Sequence, residues 1–415
     1  MALKITDINH LIGVASPWVV SEIEQDTSKL WAKIHVTLPD DEKLRCPHCG
    51  KECPGYDHRK RIWRHTAICD YSTKVVANVP RVSCLEHGVS TISVPWADTQ
   101  VQFTTSFEAR VIDALQDSTS ISAVAERMGV SWTMIAHIMD RAVKRGKARE
   151  KEQTVEHICV DEIASKKGHN YVTIVSDPTK GRVLYVAQSR TIESLKSYYT
   201  TCSSEQLKGF KSVNMDMWPA YISATLACVQ GADKKIAFDH FHVTKYVTGG
   251  VDTVRKQELR AMRKNGILDL VGTKYLWASN ASNLSKKQKA QLKGLKDSAL
   301  KTARAWAMKE MNRSLWNYKS RTWALKAWKR WLGWLDRSQL DPMKKVSKTI
   351  KKHLWGIINA IVLGVSNGPA ESINSRIKAI KVRARGFRNQ QRFANAIYFY
   401  LGGLDLYPVG YQKNG

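Results

Sequence analysis

Short apolar segments between residues 154 and 240 restrict the fold of this 415-residue chain more than any other feature of its sequence. Five of them are strand-like, at residues 155–160, 171–176, 182–188, 212–215 and 235–238. The turn sequence Asp177-Pro178-Thr179-Lys180-Gly181 separates the second from the third and favours antiparallel pairing. Helix-like sequence precedes the fourth. This order, three antiparallel strands and then alternating helices and strands, predicts an α/β domain.

The same order of elements is that of the ribonuclease-H-like fold, so we expect residues 151–240 to form the first part of such a catalytic core. Residues 241–365 are almost entirely helix-like, and we interpret them as a large all-α insertion. Residues 366–415 would supply the C-terminal helix and tail of the core. Before the core, residues 1–100 indicate a β domain, and residues 101–150 indicate helices.

Acidic residues stand where the apolar strands of this predicted core end. Asp161 follows Ile158-Cys159-Val160, and Asp216 follows Val213-Asn214-Met215. Glu371 lies at the start of a helix whose next charged residues are basic. Carboxylates are preferred ligands of Mg²⁺, and two such ions about 3.5–4 Å apart serve phosphodiester chemistry well. Each acid alone could be a cap or turn residue, but the two aspartates in this strand order favour a metal-dependent active site.

The segment Asp239-His240-Phe241-His242 is expected to begin the helix after the fifth strand. Asp239 would then lie near the site, and the histidines would pack or contact DNA. A role as a further ligand or proton carrier is the alternative. Glu162 and Asp177 are expected to be bystanders, because adjacent strand residues such as Asp161 and Glu162 face opposite ways and Asp177 opens a turn.

Two pairs of potential metal ligands lie in the N-terminal region, in Cys46-Pro47-His48-Cys49 and Cys84-Leu85-Glu86-His87. A Gly follows each pair and permits the tight turn of a zinc knuckle. Four such ligands predict a structural Zn²⁺. The alternative is a reduced, buried set of cysteines with an exposed His87. Possible replacement ligands are Cys53, His58, His65 and Cys69. The basic, aromatic residues 59–65 could contact DNA phosphate or form a solvated loop.

Residues 121–147 show the pattern of a helix-turn-helix motif. A short helix is predicted at residues 121–128, then the turn Gly129-Val130-Ser131, then a second helix at residues 132–147 capped by Ser131. Four residues of the second helix's N-terminal turn could reach base edges: Ser131, Thr133, Met134 and His137. Three basic residues could meet phosphates: Arg141, Lys144 and Arg145. An ordinary helical hairpin that serves only as a linker is the alternative.

The charge of the chain points to a polyanionic partner. Lys and Arg number 65 against 37 Asp and Glu, which gives a formal net charge of +28. No apolar run approaches the roughly 18–20 residues of a membrane span, and residues 1–24 lack the pattern of a signal peptide. We therefore expect nucleic acid rather than membrane as the partner, and a cytoplasmic location in which the eight Cys stay reduced.

The predicted helical insertion is strongly basic, with 15 Lys and Arg but 3 Asp and Glu between Lys301 and Lys352. Four residues recur at helical spacing and predict one core face: Trp323, Ala327, Trp331 and Trp334. The alternative is that one of these Trp stacks on an unpaired or flipped base. Candidate phosphate contacts are Lys344, Lys345 and Lys348 in the insertion, and Lys378, Lys381 and Arg385 after Glu371.

Taken together, these features resemble the ISL3 family of insertion-sequence transposases, over about Cys46 to Phe399. The ligand pairs and the helix-turn-helix carry part of the resemblance. The other motifs are Val160-Asp161-Glu162, Met215-Asp216-Met217-Trp218-Pro219-Ala220-Tyr221, Asp239-His240-Phe241-His242-Val243, Ser366-Asn367-Gly368 with Glu371 and Asn374, and Ile377-Lys378-Ala379-Ile380-Lys381 followed by Gly386-Phe387. His87 departs from the pattern, since Cys is commoner at that position.

The resemblance implies a DDE triad of Asp161, Asp216 and Glu371 that holds two Mg²⁺ or Mn²⁺ ions. It implies a DNA transposase that binds the terminal inverted repeats of an insertion sequence and catalyses DNA cleavage and strand transfer. Its partners would be double-stranded DNA of the transposon ends and target, and a second copy of the chain when bound to DNA ends, at the bacterial nucleoid. A DNA-binding repressor, or a nuclease of the same fold without strand transfer, is the alternative.

Overall fold

A computed structural model describes residue 9 and residues 12–118, 120–151, 154–166, 170–365 and 368–411. The first part of the chain forms a five-stranded sheet in the order β1-β2-β4-β3, with β5 paired to β4. The strands are β1 (Val19–Asp26), β2 (Trp31–Thr37), β3 (Gly55–Arg64), β4 (Ser72–Cys84) and β5 (Gly88–Thr91). The prediction of a β-rich N-terminal region is confirmed. The interpretation of residues 59–65 as a solvated loop is wrong, because most of this segment belongs to the edge strand β3.

Three helices follow: α1 (Thr105–Asp117), α2 (Ile121–Met128) and α3 (Trp132–Ala148). Gly129 ends α2 with a left-handed φ of 58°. The Ser131 side chain caps α3 by accepting from the Met134 backbone N–H at 3.2 Å, as predicted. The apolar face of α3 is buried, at Ile135, Ile138, Met139 and Val143.

A second five-stranded sheet has the order β10-β9-β6-β7-β8. Its strands are β6 (His157–Ala164), β7 (Tyr171–Asp177), β8 (Arg182–Gln188), β9 (Ser212–Met215) and β10 (Ile236–Phe238). The strands β6, β7 and β8 pair antiparallel, whereas β9 pairs parallel to both β6 and β10. The intervening helices are α4 (Ile192–Tyr199), α5 (Ser204–Gly209), α6 (Pro219–Cys228) and α7 (Ala232–Lys235). The predicted sequence of strands is confirmed.

Residues 240–363 are mainly helical, as predicted, and form a lobe. Its helices are α8 (His240–Arg263), α9 (Lys274–Ala278), α10 (Lys286–Ser298), α11 (Leu300–Ser314), α12 (Arg321–Asp336) and α13 (Asp341–Leu363). The long helix α13 attaches the lobe to the edge of the second sheet. Asn359, which is buried in α13, donates hydrogen bonds to the carbonyls of Ile236 at 2.9 Å and Asp233 at 2.7 Å. This satisfies polar groups that burial would otherwise leave unpaired.

The predicted tryptophan face of α12 is only partly correct. Trp331 is fully buried and donates from its indole to the Met308 carbonyl at 2.9 Å. Trp328, which the predicted face omits, is also fully buried, whereas Trp323 is 61% exposed. Trp323 lies in the first turn of α12, so its ring is not covered by the lobe. Assigning Trp323 to the core is therefore wrong.

Two further helices, α14 (Gly368–Arg383) and α15 (Gln390–Leu401), pack against the opposite side of the second sheet from the lobe. Helix α15 lies between β8 and α3: the Val186 backbone N–H donates to the Tyr398 hydroxyl at 2.8 Å, and Asn395 donates to Asp140 at 2.7 Å. One hydrophobic core therefore runs through the first sheet, α1–α3, α14, α15 and one face of the second sheet. Ser366 and Asn367 lie outside the described residues.

None of the helices in the described ranges is long and apolar enough to cross a membrane.

We expect Gly356→Ala to destabilise the junction between the lobe and the second sheet. A Cβ at this position of α13 would lie 2.5 Å from two ring atoms of Phe238, which is 1% exposed and cannot move away. Such overpacking costs about 1–3 kcal/mol, so the midpoint of thermal unfolding should fall. The control is Gly294→Ala in α10, where nothing lies within 4 Å. This change should stabilise the helix by about 0.5–1 kcal/mol, and an equal response of both variants would contradict the packing argument.

Candidate active site

Three aspartates lie side by side at the carboxyl edge of the second sheet. Val160 of β6 pairs with Met215 of β9, which in turn pairs with Phe238 of β10. The next residues are Asp161, Asp216 and Asp239. Residues in register on neighbouring parallel strands, which are about 4.8 Å apart, point to the same face. The strand register thus brings the three carboxylates together, as the sequence predicted for Asp161 and Asp216.

Asp161 and Asp216 are each held in place by hydrogen bonds. The Asp161 carboxylate accepts from the Glu162 backbone N–H at 2.8 Å and from the Asn374 side-chain amide on α14. Burial raises the pKa of Asp161. Burial also opposes ionisation of Asp216, but the hydrogen bond and charge of His242 outweigh it, so the pKa of Asp216 lies below its usual value.

His242 links two of the aspartates. Its Nδ1 lies 3.2 Å from Asp216 Oδ2, and its Nε2 lies 3.7 Å from Asp239 Oδ2. The hydrogen bond to Asp216 raises the pKa of His242. Asp239 also caps α8 by accepting from the Phe241 backbone N–H at 2.9 Å, as expected for the residue that begins this helix. Sequence analysis did not identify the contact of His242 with Asp216.

Glu371 faces these aspartates from α14. An open cleft of about 1610 Å³ is lined by Asp161, Asp239 and His242 on one side and by Glu371 and Asn374 on the other. Glu371 and Asn374 are three residues apart, which places them on one face of the helix. Asp216 lies in an adjoining groove that shares His242 with the cleft. The predicted triad is therefore distributed around one continuous depression.

The triad oxygens do not form a tight cluster. In the parts of the chain that the structure describes, three or more potential ligand atoms lie mutually within 4.8 Å at two places only. These are Glu22, Glu24 and His35, and the cysteine cluster described below. A single small cation needs ligands this close. Two ions about 3.5–4 Å apart spread their ligands over a longer distance than one ion does.

Glu162 is closer to the cleft than the sequence analysis expected. It lines both the cleft and the adjoining groove, and it pairs with Arg190 at 3.2 Å. The argument from strand alternation failed because β6 continues to Ala164, beyond its last pairing with β9 at Val160. Both faces of this overhang reach the depression. Asp177 is a turn residue as expected, since its carboxylate accepts from the Thr179 backbone N–H at 2.9 Å.

The outer part of the cleft is basic and reaches the helix-turn-helix. Lys378, Lys381 and Arg385 line it, and Lys381 also donates to the Ala164 carbonyl at 2.7 Å. Trp132 and Ser122, from the two helices of the motif, line the same cleft. Residues of the helix-turn-helix and the carboxylates therefore line one cleft. Sequence analysis did not predict this proximity.

The candidate base-reading residues are accessible. Ser131, Thr133 and His137 are exposed and Met134 is half-buried. Arg141 is different, because its guanidinium forms ion pairs with Asp98 and, at 3.5 Å, with Glu108. Contact of Arg141 with phosphate remains a prediction, and it would require these ion pairs to rearrange.

The candidate phosphate contacts in the lobe are also accessible. Lys344, Lys345 and Lys348 are exposed on α13. Lys345 lines the groove that contains Asp216, and Lys344 pairs with Asp341 at 3.6 Å. These lysines thus lie on the lobe side of the carboxylates, opposite the basic residues of α14.

The second candidate site is the group of Cys46, Cys49, Cys84 and His87, whose ligand atoms all lie within 4.8 Å of one another. Cys46 Sγ and Cys84 Sγ lie 3.8 Å and 3.6 Å from His87 Nδ1, and Cys49 Sγ lies 3.7 Å from Cys84 Sγ. Tetrahedral Zn²⁺ with ordinary bond lengths requires about 3.8 Å between sulfurs and about 3.6 Å between sulfur and nitrogen. The residues therefore fit a zinc ion.

The neighbouring residues do not compete for this position. His65 is buried in a hydrogen bond with the Thr104 hydroxyl at 2.9 Å, and burial lowers the pKa of His65 to about 4. Cys53 donates to the Lys51 carbonyl at 3.4 Å and is not part of the cluster. The hydrogen bond from His87 lowers the pKa of Cys84 to about 6, which favours the thiolate that metal ligation requires.

Family models match most of the sequence. One described as a transposase matches residues 158–397, and one described as the helix-turn-helix domain of transposase family ISL3 matches residues 92–143. A third, described as the zinc-finger of the transposases of IS204, IS1001, IS1096 and IS1165, matches residues 42–87. Together with the geometry of α2 and α3, the second match confirms the helix-turn-helix, and the linker alternative is wrong. The third match supports a structural zinc.

Relatives of similar length are also found. The chain is 26% identical over 362 residues to the transposase for insertion sequence element IS1001 of Bordetella parapertussis, a match that covers 86% of this chain and 88% of the relative. It is 27% identical over 425 residues to the transposase for insertion sequence element IS1557 of Mycobacterium tuberculosis, with 95% and 94% covered.

We expect the wild-type chain to bind one Zn²⁺ and the variants Cys46→Ser and Cys84→Ser to lose it, because a hydroxyl replaces a thiolate in each. Elemental analysis of the purified proteins measures this. Cys53→Ser is the matched control and should retain the metal, since Cys53 lies beside the cluster without joining it. Full zinc occupancy in both ligand variants would rule out this ligand set.

Proposed function

Because the chain belongs to the ISL3 family of transposases, we propose that it binds the terminal inverted repeats of an insertion sequence and catalyses metal-dependent DNA cleavage and strand transfer. The observation that carries the proposal is the register of Asp161 and Asp216 at one sheet edge, with Glu371 across a cleft whose outer part is basic. Such a cleft suits a phosphodiester beside metal-binding carboxylates.

The proposed core is ribonuclease-H-like, and the strand order β10-β9-β6-β7-β8 with its antiparallel and parallel pairs supports it. Within this proposal, residues 1–100 are the zinc-binding β domain and residues 101–150 the helix-turn-helix domain. Residues 151–240 and 366–415 make up the core, and residues 241–365 are the α-helical insertion. Residues 1–100, residues 101–150 and both parts of the core, 151–240 and 366–415, share one hydrophobic cluster, so these segments pack closely together.

Asp161, Asp216 and Glu371 are the proposed ligands of two Mg²⁺ or Mn²⁺ ions. Such ions, when bound, activate the attacking oxygen and stabilise the leaving oxygen. The chain supplies the orientation: Asn374 fixes the carboxylate of Asp161, and His242 fixes that of Asp216. Partners of this kind orient metal ligands in other sites, where their loss costs about 10–100-fold in affinity or activity.

The proposed DNA contacts divide into two groups. Residues of α3 would read bases, because a recognition helix enters the major groove with its N-terminal turn first. The lysines of α13 and the basic residues of α14 would hold phosphates. Since one chain offers one carboxylate triad and an element has two ends, two copies of the chain are proposed to act together. We propose that they act at the nucleoid of the bacterial cytoplasm, where their DNA substrates would lie.

A repressor or a nuclease without strand transfer is the second candidate. A repressor does not need three carboxylates around a basic cleft, so the site favours an enzyme. A nuclease would share the site, and only joining of the cleaved end to a second DNA separates the two activities.

We predict that Asp161→Asn, Asp216→Asn and Glu371→Gln each lower the cleavage rate by more than about 100-fold, since loss of a ligand should cost more than loss of its orienting partner. Binding of end DNA should stay nearly unchanged, because the basic side chains proposed to hold phosphates remain in place. Gel assays of cleavage and joining on DNA that carries the element's ends measure the reaction rate. Gel-shift assays with the same DNA measure binding. Glu156→Gln is the control, because its exposed ion pair with Lys211 at 2.7 Å lies at the other end of β6. A triad variant that cleaves at the wild-type rate would remove that residue from the triad.

We also predict that sequence discrimination and salt-dependent affinity reside in different segments. Replacing Thr133 and His137 with Ala should narrow the difference in affinity between end DNA and scrambled DNA, with little change in salt slope. Replacing Lys344, Lys345 and Lys348 with Ala should weaken binding of both DNAs and flatten the salt slope by about one unit per lost phosphate contact. Binding titrations at several salt concentrations test this. Loss of discrimination in the lysine variant alone would assign sequence reading to the lobe.

A further inference from the structure

A second groove, of about 1040 Å³, runs along the edge strand β3. One end is formed by Pro47 and His48 of the first zinc knuckle. The other end is formed by the turn Gly129–Ser131 and by Met134 of α3. The groove thus connects the zinc-binding sheet to the recognition helix. It is separate from the carboxylate cleft.

The groove is positively charged without compensation. Its lining contains five Lys and Arg and no Asp or Glu: Arg59, Lys60, Arg61, Arg64 and Lys74. Three of these, Arg59, Lys60 and Lys74, are exposed and form no ion pair with any described carboxylate. Elsewhere in the zinc-binding domain several cations are paired: Lys33 with Glu24, Lys43 with Glu52, Lys51 with Glu86, and Arg81 with Asp57. Unpaired cations are therefore concentrated in the groove.

The two remaining arginines hold the groove's walls together. Arg61 donates to the carbonyls of Thr99 and, at 3.1 Å, Val101, and its guanidinium lies 5.0 Å from the Trp63 ring. Arg64 donates to the Met128 carbonyl at the end of α2, at 3.3 Å. The edge strand is thereby fixed both to the opposite wall and to the helix-turn-helix. A surface fixed in this way loses little conformational freedom on binding.

Protection of a sheet edge explains only part of this charge. Lysines on edge strands discourage the addition of a further strand. Lys74, however, lies in the interior strand β4, and the opposite wall is polar, with Thr99, Gln100 and Gln102. A groove of cations and polar side chains that continues into a recognition helix matches the backbone of a nucleic acid better than it matches a blocked edge.

We propose that Arg59, Lys60 and Lys74 bind phosphates of duplex DNA beside the bases that α3 contacts, so that the zinc-binding sheet and the helix-turn-helix grip one continuous stretch of duplex. The assignment rests on the proposed DNA-binding function of α3. It adds a second contact surface, on the zinc-binding domain.

The test is a salt titration of duplex DNA binding by Arg59→Ala/Lys60→Ala/Lys74→Ala. Three lost phosphate contacts should lower the slope of log affinity against log salt by about 2–3 units, which corresponds to up to about 100-fold weaker binding near physiological salt. A random-sequence duplex and the element's end DNA should lose affinity alike. The matched control, Lys29→Ala/Lys33→Ala/Lys43→Ala, removes the same charge from the same domain outside the groove. It should change the slope much less.

A charge-conserving variant, Arg59→Lys/Lys60→Arg/Lys74→Arg, should bind as the wild type does, and zinc content verifies that each variant is folded. If the groove variant and the control variant give the same slope, the proposal is overturned. In that case, loss of discrimination by the Thr133 and His137 variant would leave the proposed function standing. If the wild-type chain binds neither duplex, both the proposed role of the groove and the proposed function are wrong.

Discussion

The parallel pairing of β6, β9 and β10 is the constraint on which the rest of the site depends. Backbone hydrogen bonds fix Val160, Met215 and Phe238 in one row. The aspartates that follow these residues therefore also lie next to one another. No side-chain contact could bring three carboxylates together at low cost, because their mutual repulsion opposes it. The hydrogen bonds between the strands offset this repulsion, and a large hydrophobic cluster on the lobe side of the same sheet stabilises the strands.

The groups that orient the carboxylates come from two different helices. Asn374 reaches Asp161 from α14, and His242 reaches Asp216 from α8. Helix α8 begins the lobe, whereas α14 follows it, so the lobe is inserted between the two helices that complete the site. A movement of the lobe relative to the sheet would therefore change the wall that α8 forms with His242. Gly356 lies where α13 packs closely against Phe238 of the sheet.

Much of the fold could be predicted because its signals are local. The acids that end apolar strands identified Asp161 and Asp216, and ligand spacing identified the cysteine cluster. Contacts between distant elements could not be predicted in this way. The pairing of His242 with Asp216 depends on where α8 starts, and the burial of Trp328 rather than Trp323 depends on which side of α12 the lobe covers. The ion pairs of Arg141 could not be predicted, because its partners Asp98 and Glu108 are distant along the chain.

The position of α15 between β8 and α3 determines when the chain can complete its fold during synthesis. Tyr398 and Asn395 complete contacts to the second sheet and to the recognition helix at once. A ribosome exposes α3 long before α15, so the recognition helix lacks one of its packing partners until almost all of the described chain has been translated. Incomplete products that end before α15 would lack part of the hydrophobic core on which both the DNA-reading and the acidic elements rest. Such fragments would compete poorly with full-length protein for DNA.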